Sequence, residues 1–415
     1  MGACQMLGDK SIAHRALILS SWFKGVHTIY NFSNNEDVLT TLQALEGYGL
    51  NYKLESNILS VDSRKFIFKK GGINCNDSGT SARLLCGYLS GANVKTDIFG
   101  SEGLSIRPMN RVVKPLNAFG RDIQSNKGLL PLHIKPSLNL KAFDYDLSIP
   151  SAQVKACLIL HAIFMDGVST ITGKIKTRDH LENLLSHFNY PMSSSDKKIK
   201  IQGSKRVNKN LIIELAGDIS SASFIIVGAL LLKGSAIKIK SVCFNKYRIG
   251  FINKLIDMGA DITFENQKTI CGEEVADISA KYSPNLVGIK IEQDEVPCMI
   301  DEVPLLCVVA AYAKGESIIN GVSELKIKES NRIEAILANM KKMGGSVKVR
   351  GDSLIISPKN KLYNTTINSF NDHRIFMTFY IANLVSGQDF SEGLTDLSYK
   401  KSFVNFFDIL KQVIQ

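Results

Sequence analysis

Five cations stand at one phase of a long repeat: Arg107, Arg178, Arg248, Arg332 and Lys401, separated by 71, 70, 84 and 69 residues. Each opens an amphipathic helical pattern, where a positive side chain works against the helix dipole. Something negative must therefore offset them, and phosphates or carboxylates gripped by Arg forks would do so. A second series begins with Gly8-Asp9-Lys10-Ser11-Ile12-Ala13-His14-Arg15, a glycine turn running into an apolar helix with Lys10 at its mouth and Arg15 one turn in. Ser11 reads as its N-cap, and the free backbone N–H groups of such a start favour an anion. Two groups of acids lie among these cations, Asp301-Glu302 and Glu329. A carboxylate in that company is either a counter-ion or a proton-transfer group, and for Glu329 the spacing alone also allows a helical pair with Arg332. Two such acids beside Lys10 and Lys328 suit chemistry in which one proton leaves and another arrives.

The elements that position these residues form a repeat. Helix starts recur at Ser11, Thr80, Ser151, Ser220, Glu302 and Asp372, at intervals of 69, 71, 69, 82 and 70 residues. Apolar helices are expected over 16–23, 82–89, 154–164, 222–232, 303–313 and 375–384, and more amphipathic ones over 37–45, 107–119, 178–188, 248–258, 332–343 and 401–414. The first five of the latter end at Gly49, Gly120, Asn189, Gly259 and Gly344, residues suited to a left-handed cap. A strand between the two helices and a hairpin after them complete a split β-α-β-α-β-β unit of about 70 residues, copied six times. The extra dozen residues between copies four and five read as a loop around 271–284. The last copy ends after its second helix, so its missing strand pair is expected from the chain's start, although only seven residues precede Gly8. Three copies per domain then gives one domain over 10–216 and a discontinuous one over 1–9 plus 217–415.

The chain has 415 residues, 45% of them hydrophobic, and a net charge of +11, enough for two sizeable cores. Dense Lys clusters are few, Lys197-Lys198 with Lys200 and Lys341-Lys342, so a small anionic substrate is favoured over nucleic acid. Eight scattered cysteines lack C-x-x-C pairs and read as buried thiols of a reducing compartment. The longest apolar stretch, 222–232, is too short to cross a bilayer, and no secretory signal is visible at the start. A cytoplasmic protein without a membrane partner is the expectation.

Nine motifs, in order, resemble the 5-enolpyruvylshikimate-3-phosphate (EPSP) synthase family. Besides the first, at 8–15, they are Asp77-Ser-Gly-Thr-Ser-Ala-Arg83, Arg107-Pro-Met109, Ser151-Ala-Gln-Val-Lys155 and Arg178-Asp-His180. Then come Gly217-Asp-Ile-Ser-Ser-Ala222, Ile300-Asp-Glu-Val-Pro304, Lys328-Glu-Ser-Asn-Arg332 and Asn371-Asp-His-Arg374. The resemblance spans 8 to about 407 and implies an α/β (α+β) fold: a two-domain inside-out α/β barrel of six β-α-β-α-β-β repeats, three per domain, closing on its substrates. It implies that shikimate 3-phosphate is held by Lys10, Ser11, Arg15, Ser151, Ala152 through its backbone, Gln153, Arg178, Asp301 and Lys328. Phosphoenolpyruvate would be held by Lys10, Gly79, Arg107, Gln153, Arg332, Arg374 and Lys401. Catalysis would fall to Asp301, Glu329 and Lys10, with no metal or organic cofactor, no nucleic acid and a monomer as the working form. Because position 79 is Gly, the resemblance also implies sensitivity to glyphosate.

Leu7 stands where the family usually has Pro, behind a shorter N-terminal segment. Ala13 stands where Ser is common, Asp77 where Asn is frequent, and Ala216 where Pro is usual. Asp77 is expected to add repulsion near phosphoenolpyruvate. A divergent but competent enzyme is expected, since every expected cation and both acids are present. A sister enolpyruvyl transferase acting on UDP-N-acetylglucosamine typically has a reactive Cys ahead of an Arg-Pro pair; the loop from Gly100 to Pro108 has none. A non-catalytic anion-binding module is the other alternative, and it predicts that Asp301 and Glu329 are dispensable.

Overall fold

The computed structural model describes residues 2–138, 140–359, 361–390 and 396–414. The described residues form two compact units, one of residues 7–215 and 270–273, the other of residues 2–6, 216–269 and 274–414. The apolar helices are Lys10–Trp22, Gly79–Gly91 and Ala152–Ala162 in the first unit, and Ile219–Leu231, Val303–Tyr312 and His373–Val385 in the second. Each is buried on nearly every side, which is why its sequence is apolar all round. Within each unit the three pack against one another, forming an α-helical interior with sheets around it. Their approach is close: a Cβ on Gly87 would lie 2.1 Å from the Cys157 carbonyl oxygen, so that crossing requires glycine.

The copies share one topology. A leading strand lies parallel to the strand between the helices, which pairs antiparallel with the outer hairpin. In the second copy these are Gly71–Asn74, Thr96–Phe99, Leu129–Lys135 and Asp122–Asn126. Helix ends at Gly49, Gly120, Asn189, Gly259 and Gly344 all carry positive φ, as their residue types require.

Three expectations are corrected. There are five four-stranded sheets among the described residues, not six, and the chain's start does not complete the last copy. It supplies a single strand, Gly2–Gln5, parallel to Ala236–Cys243 of the fourth copy, while Ile212–Glu214 takes the leading place beside Val26–Tyr30 of the first. Four residues suffice for one edge strand but not for a hairpin. The extra residues between copies four and five are not a loop. They lengthen a hairpin, Asp261–Ile270 with Glu273–Lys281, whose turn residues Cys271 and Gly272 both have positive φ. Finally, three helices begin earlier than Ser11, Thr80 and Ser220 suggest. Asp9 accepts from the amides of Ser11 and Ile12, Asp218 from those of Ser220 and Ser221, and Ser78 from that of Ser81. A side chain two or three residues upstream reaches the orphan donors of the first turn better than one already in it.

Six cysteines, at 4, 75, 86, 157, 243 and 307, are buried thiols, and among the described residues no cysteine is in a disulfide. No helix among the described residues is long and apolar enough to cross a membrane.

Buried histidines make the first unit sensitive to acid. His27 Nδ1 accepts from the Leu211 amide at 3.1 Å, which places its proton on Nε2 toward the Ser63 hydroxyl. Burial lowers His27 to about 4 and His161 to about 3. Unfolded histidine binds a proton near pH 6.5, so between that value and the folded one the unfolded chain holds more protons. Stability is therefore complete above pH 6.5 and lost as the pH falls, by about 2 kcal/mol per histidine at pH 5. Urea midpoints at pH 7 and pH 5 measure the loss, and His161→Asn should shrink it. An equal loss in that variant would assign the sensitivity elsewhere.

Candidate active site

Each unit carries a cluster of the expected residues, at the starts of its interior helices. In the first unit the side chains around Gly79 are tightly interlocked. Arg83 Nη1 donates to Gln153 Oε1 at 3.0 Å and its Nη2 donates to the Pro108 carbonyl at 3.1 Å, immediately after Arg107. Gln153 Nε2 in turn donates to Thr80 Oγ1 at 3.1 Å. The Arg107 and Arg83 guanidiniums crowd Gly79, whose added Cβ would meet them at 2.8–2.9 Å. The structure thus gathers Gly79, Arg107 and Gln153 into one cluster, and Arg83 is the residue that joins them.

Lys10 Nζ is paired with Asp37 Oδ2 at 2.9 Å. The buried Arg15 folds back on its own helix, Nη1 donating to the Ser11 carbonyl at 2.7 Å. Ser11 itself lies inside the first turn. Asp9 occupies the Ser11 and Ile12 amides of this helix, donors that the sequence suggested for an anion. Ser151 is the cap it was expected to be, accepting from the Val154 amide at 3.4 Å, with Ala152 and Gln153 directly behind it. Arg178 precedes the His180–His187 helix. Asp77 accepts from the Ser101 hydroxyl, and Ser101 caps the short Glu102–Ser105 helix leading to Arg107. The acid thus anchors that loop.

In the second unit one guanidinium organises the acids. Arg332, at 1% exposure, donates Nε to Asp372 Oδ2 at 2.8 Å and Nη1 to Asp301 Oδ1 at 3.4 Å, and pairs through Nη2 with Glu329. Burial opposes its charge, but Asp372 and Glu329, with Asp301 behind them, hold the guanidinium above its usual range. Asp372 is likewise fully buried, and Arg332 keeps it below the usual carboxylate range against that burial. Lys328 Nζ stands 3.8 Å from Asp301 Oδ1. Arg374 Nη1 donates to the Ser220 hydroxyl and, at 3.3 Å, to Glu302 Oε1, while Ser220 also donates to Glu302. Lys401 Nζ donates to the Asn371 carbonyl at 3.2 Å.

The second unit therefore brings together Asp301, Lys328, Glu329 and Arg332, with Arg374 beside the Asp301 carbonyl. Glu329 is not simply a helical partner of Arg332; it shares that guanidinium with two other carboxylates. The offset of the helix-start cations is thus partly the protein's own, and Arg248 also faces the Asp218 carboxylate at 3.9 Å. Glu329, Asp372 and His373 offer ligand atoms close enough for a metal ion. The cation these carboxylates engage is Arg332. Asp37, Arg83, Glu302 and Asp372 were missed as site residues, although the last three lie inside recognised motifs.

A family profile described as EPSP synthase (3-phosphoshikimate 1-carboxyvinyltransferase) matches residues 1–410. The chain belongs to this family. A 3-phosphoshikimate 1-carboxyvinyltransferase of Clostridium tetani is 38% identical over 90% of this chain and 86% of its own. The Persephonella marina enzyme of that name is 36% identical over 100% and 97% of the two chains. The structure of EPSP synthase from Acinetobacter baumannii superposes with a TM-score of 0.85 at 34% identity, covering 99% of this chain and 95% of that one. An enolpyruvyl transferase of Streptomyces tendae, 13% identical with a TM-score of 0.77, shares the fold. The α/β inside-out architecture of the family is the fold described above.

Proposed function

We propose that this chain transfers the enolpyruvyl group of phosphoenolpyruvate to the 5-hydroxyl of shikimate 3-phosphate, releasing phosphate, on the route to chorismate and the aromatic amino acids. The observation that carries the reading is the pair Asp301 and Glu329, two carboxylates held on the one buried guanidinium of Arg332 among further cations. A module that only bound anions would gain nothing from acids there; a proton-transfer enzyme needs them.

Asp301 takes the proton of the 5-hydroxyl as its oxygen forms a bond to C2 of phosphoenolpyruvate. Glu329, or Lys10, delivers a proton to C3, giving a tetrahedral intermediate. Loss of that C3 proton and departure of phosphate from C2 restore the double bond, so one hydroxyl proton and one phosphate leave overall. Lys10, Ser11, Arg15, Ser151, the Ala152 backbone, Gln153, Arg178, Asp301 and Lys328 hold shikimate 3-phosphate. Lys10, Gly79, Arg107, Gln153, Arg332, Arg374 and Lys401 hold phosphoenolpyruvate, their fixed charges meeting the negative charge that develops. We read the enzyme as a cytoplasmic monomer; buried thiols outside any disulfide support the reducing compartment.

Phosphate release from phosphoenolpyruvate, with shikimate 3-phosphate or UDP-N-acetylglucosamine as acceptor, tests the proposal. Release with the shikimate ester alone is expected. Release with the nucleotide sugar would transfer the chain to the sister activity, and release with neither would refute the enzyme reading.

A further inference from the structure

Lys155 is 2% exposed, on the Ala152–Ala162 helix two residues beyond Gln153. Its ammonium has three donors and three partners. It donates to the Ile175 carbonyl at 3.0 Å and to the Thr177 carbonyl at 2.9 Å, and pairs with Glu182 Oε1 at 2.7 Å. Thr177 is the residue immediately before Arg178. Glu182, 3% exposed, comes from the His180–His187 helix that follows Arg178. A buried charge pair of this kind costs desolvation that an apolar pair of the same volume would not, so stability alone does not account for it.

The geometry around the pair does. Arg178 lies between the two carbonyls that Lys155 grips and the helix that carries Glu182, so its main chain is fixed from both sides. Arg15 is also buried, on the Lys10–Trp22 helix that packs against the helix of Glu182. Burial lowers its guanidinium to about 10; the Glu182 carboxylate is the largest opposing influence, and Arg178 adds to the lowering.

We infer that Lys155 and Glu182 are positioning residues for shikimate 3-phosphate. Lys155 clamps the main chain ahead of Arg178 onto the helix of Ala152 and Gln153, and Glu182 is the counter-ion that keeps the Lys155 ammonium in that clamp. The inference rests on the proposed roles of Arg15 and Arg178. It predicts an effect on one substrate: Arg107 and Gly79, read as phosphoenolpyruvate residues, are held through Arg83 and not through this pair.

The test uses the full chain with Lys155→Met, Glu182→Gln and the double variant Lys155→Met/Glu182→Leu. Binding of shikimate 3-phosphate is measured by calorimetry, KM for phosphoenolpyruvate at saturating shikimate 3-phosphate, and the thermal midpoint for each. The single variants leave one buried charge unpaired and lose stability; the double variant removes both and keeps it. All three are expected to weaken shikimate 3-phosphate about 10-fold or more while KM for phosphoenolpyruvate moves less than about 3-fold. A double variant that melts like the parent and binds shikimate 3-phosphate like the parent would overturn the inference, as would equal losses for both substrates. Arg178→Ala separates the two levels of the argument. If it binds shikimate 3-phosphate normally, the site reading fails and takes the pair with it. If it loses binding while the pair variants do not, only the pair's role is refuted.

Discussion

Asp301→Asn should lower kcat by about 10³-fold, the range expected for loss of a general base, while leaving the protein folded. The side chain is 17% exposed and meets two cations, Lys328 at 3.8 Å and Arg332 at 3.4 Å, and the amide has the same shape as the acid it replaces. Arg332 keeps its shorter bonds to Asp372 and Glu329 and stays in place. What disappears is the only basic oxygen beside these cations that the reading assigns to the 5-hydroxyl proton. Phosphoenolpyruvate affinity should hold or tighten, because the change removes a negative charge from a site for anions. Glu329→Gln should behave alike in kcat, with less effect on shikimate 3-phosphate, since Glu329 is not among the residues proposed to hold it. Single-turnover kinetics with both substrates saturating measures these losses separately from binding. Turnover within tenfold of the parent in both variants would remove Asp301 and Glu329 from the proton-transfer roles.

The sequence showed most plainly what burial repeats. Six helices packed on all sides must be apolar on all sides, so their period survives divergence in the residues themselves. Helix ends at Gly49 or Gly259 were legible for a similar reason: a left-handed cap admits few residue types. The strands Gly2–Gln5 and Ile212–Glu214 were not legible, because each is too short for a pattern and pairs with a strand far away in sequence. The stretch 271–284 passed for a loop because its strand, Glu273–Lys281, mixes three acids and small residues with only two larger apolar ones, although it is mostly buried. In the candidate site the cations were visible by their spacing, but their partners were not. Nothing in the surroundings of Asp37 or Asp372 distinguishes a capping acid from one that orients Lys10 or Arg332. Only coordinates show that Asp372 does both, accepting from the Arg374 amide while binding the Arg332 guanidinium. Asp77 has a contact that the sequence did not show either, accepting from the Ser101 hydroxyl.

Gly79→Ala is the second large effect, and its physics is steric. The new Cβ would sit 2.8 Å from Arg83 Nη1 and 2.9 Å from the Arg107 guanidinium carbon. Both neighbours are ends of long side chains, so the fold can yield where the site cannot. Gly79 occupies the first turn of its helix, where alanine is if anything the better residue, so thermal stability should change little. The guanidiniums must move, however, and Arg83 is tied to Gln153 and Pro108, so displacement spreads across the cluster. A shift of about 1 Å in groups that grip an anion can cost about 100-fold, and KM for phosphoenolpyruvate should rise by about that factor with kcat less affected. The family resemblance implies that glyphosate competes for the same residues, so the parent should be inhibited and the alanine variant should tolerate much more of the inhibitor. The informative measurement is the ratio of the two changes. If inhibition weakens more than KM rises, the added methyl discriminates between the anions by shape; equal changes would mean the arginines have simply moved away from both. A parent enzyme indifferent to millimolar glyphosate, or a variant with unchanged KM, would show that Gly79 does not face phosphoenolpyruvate.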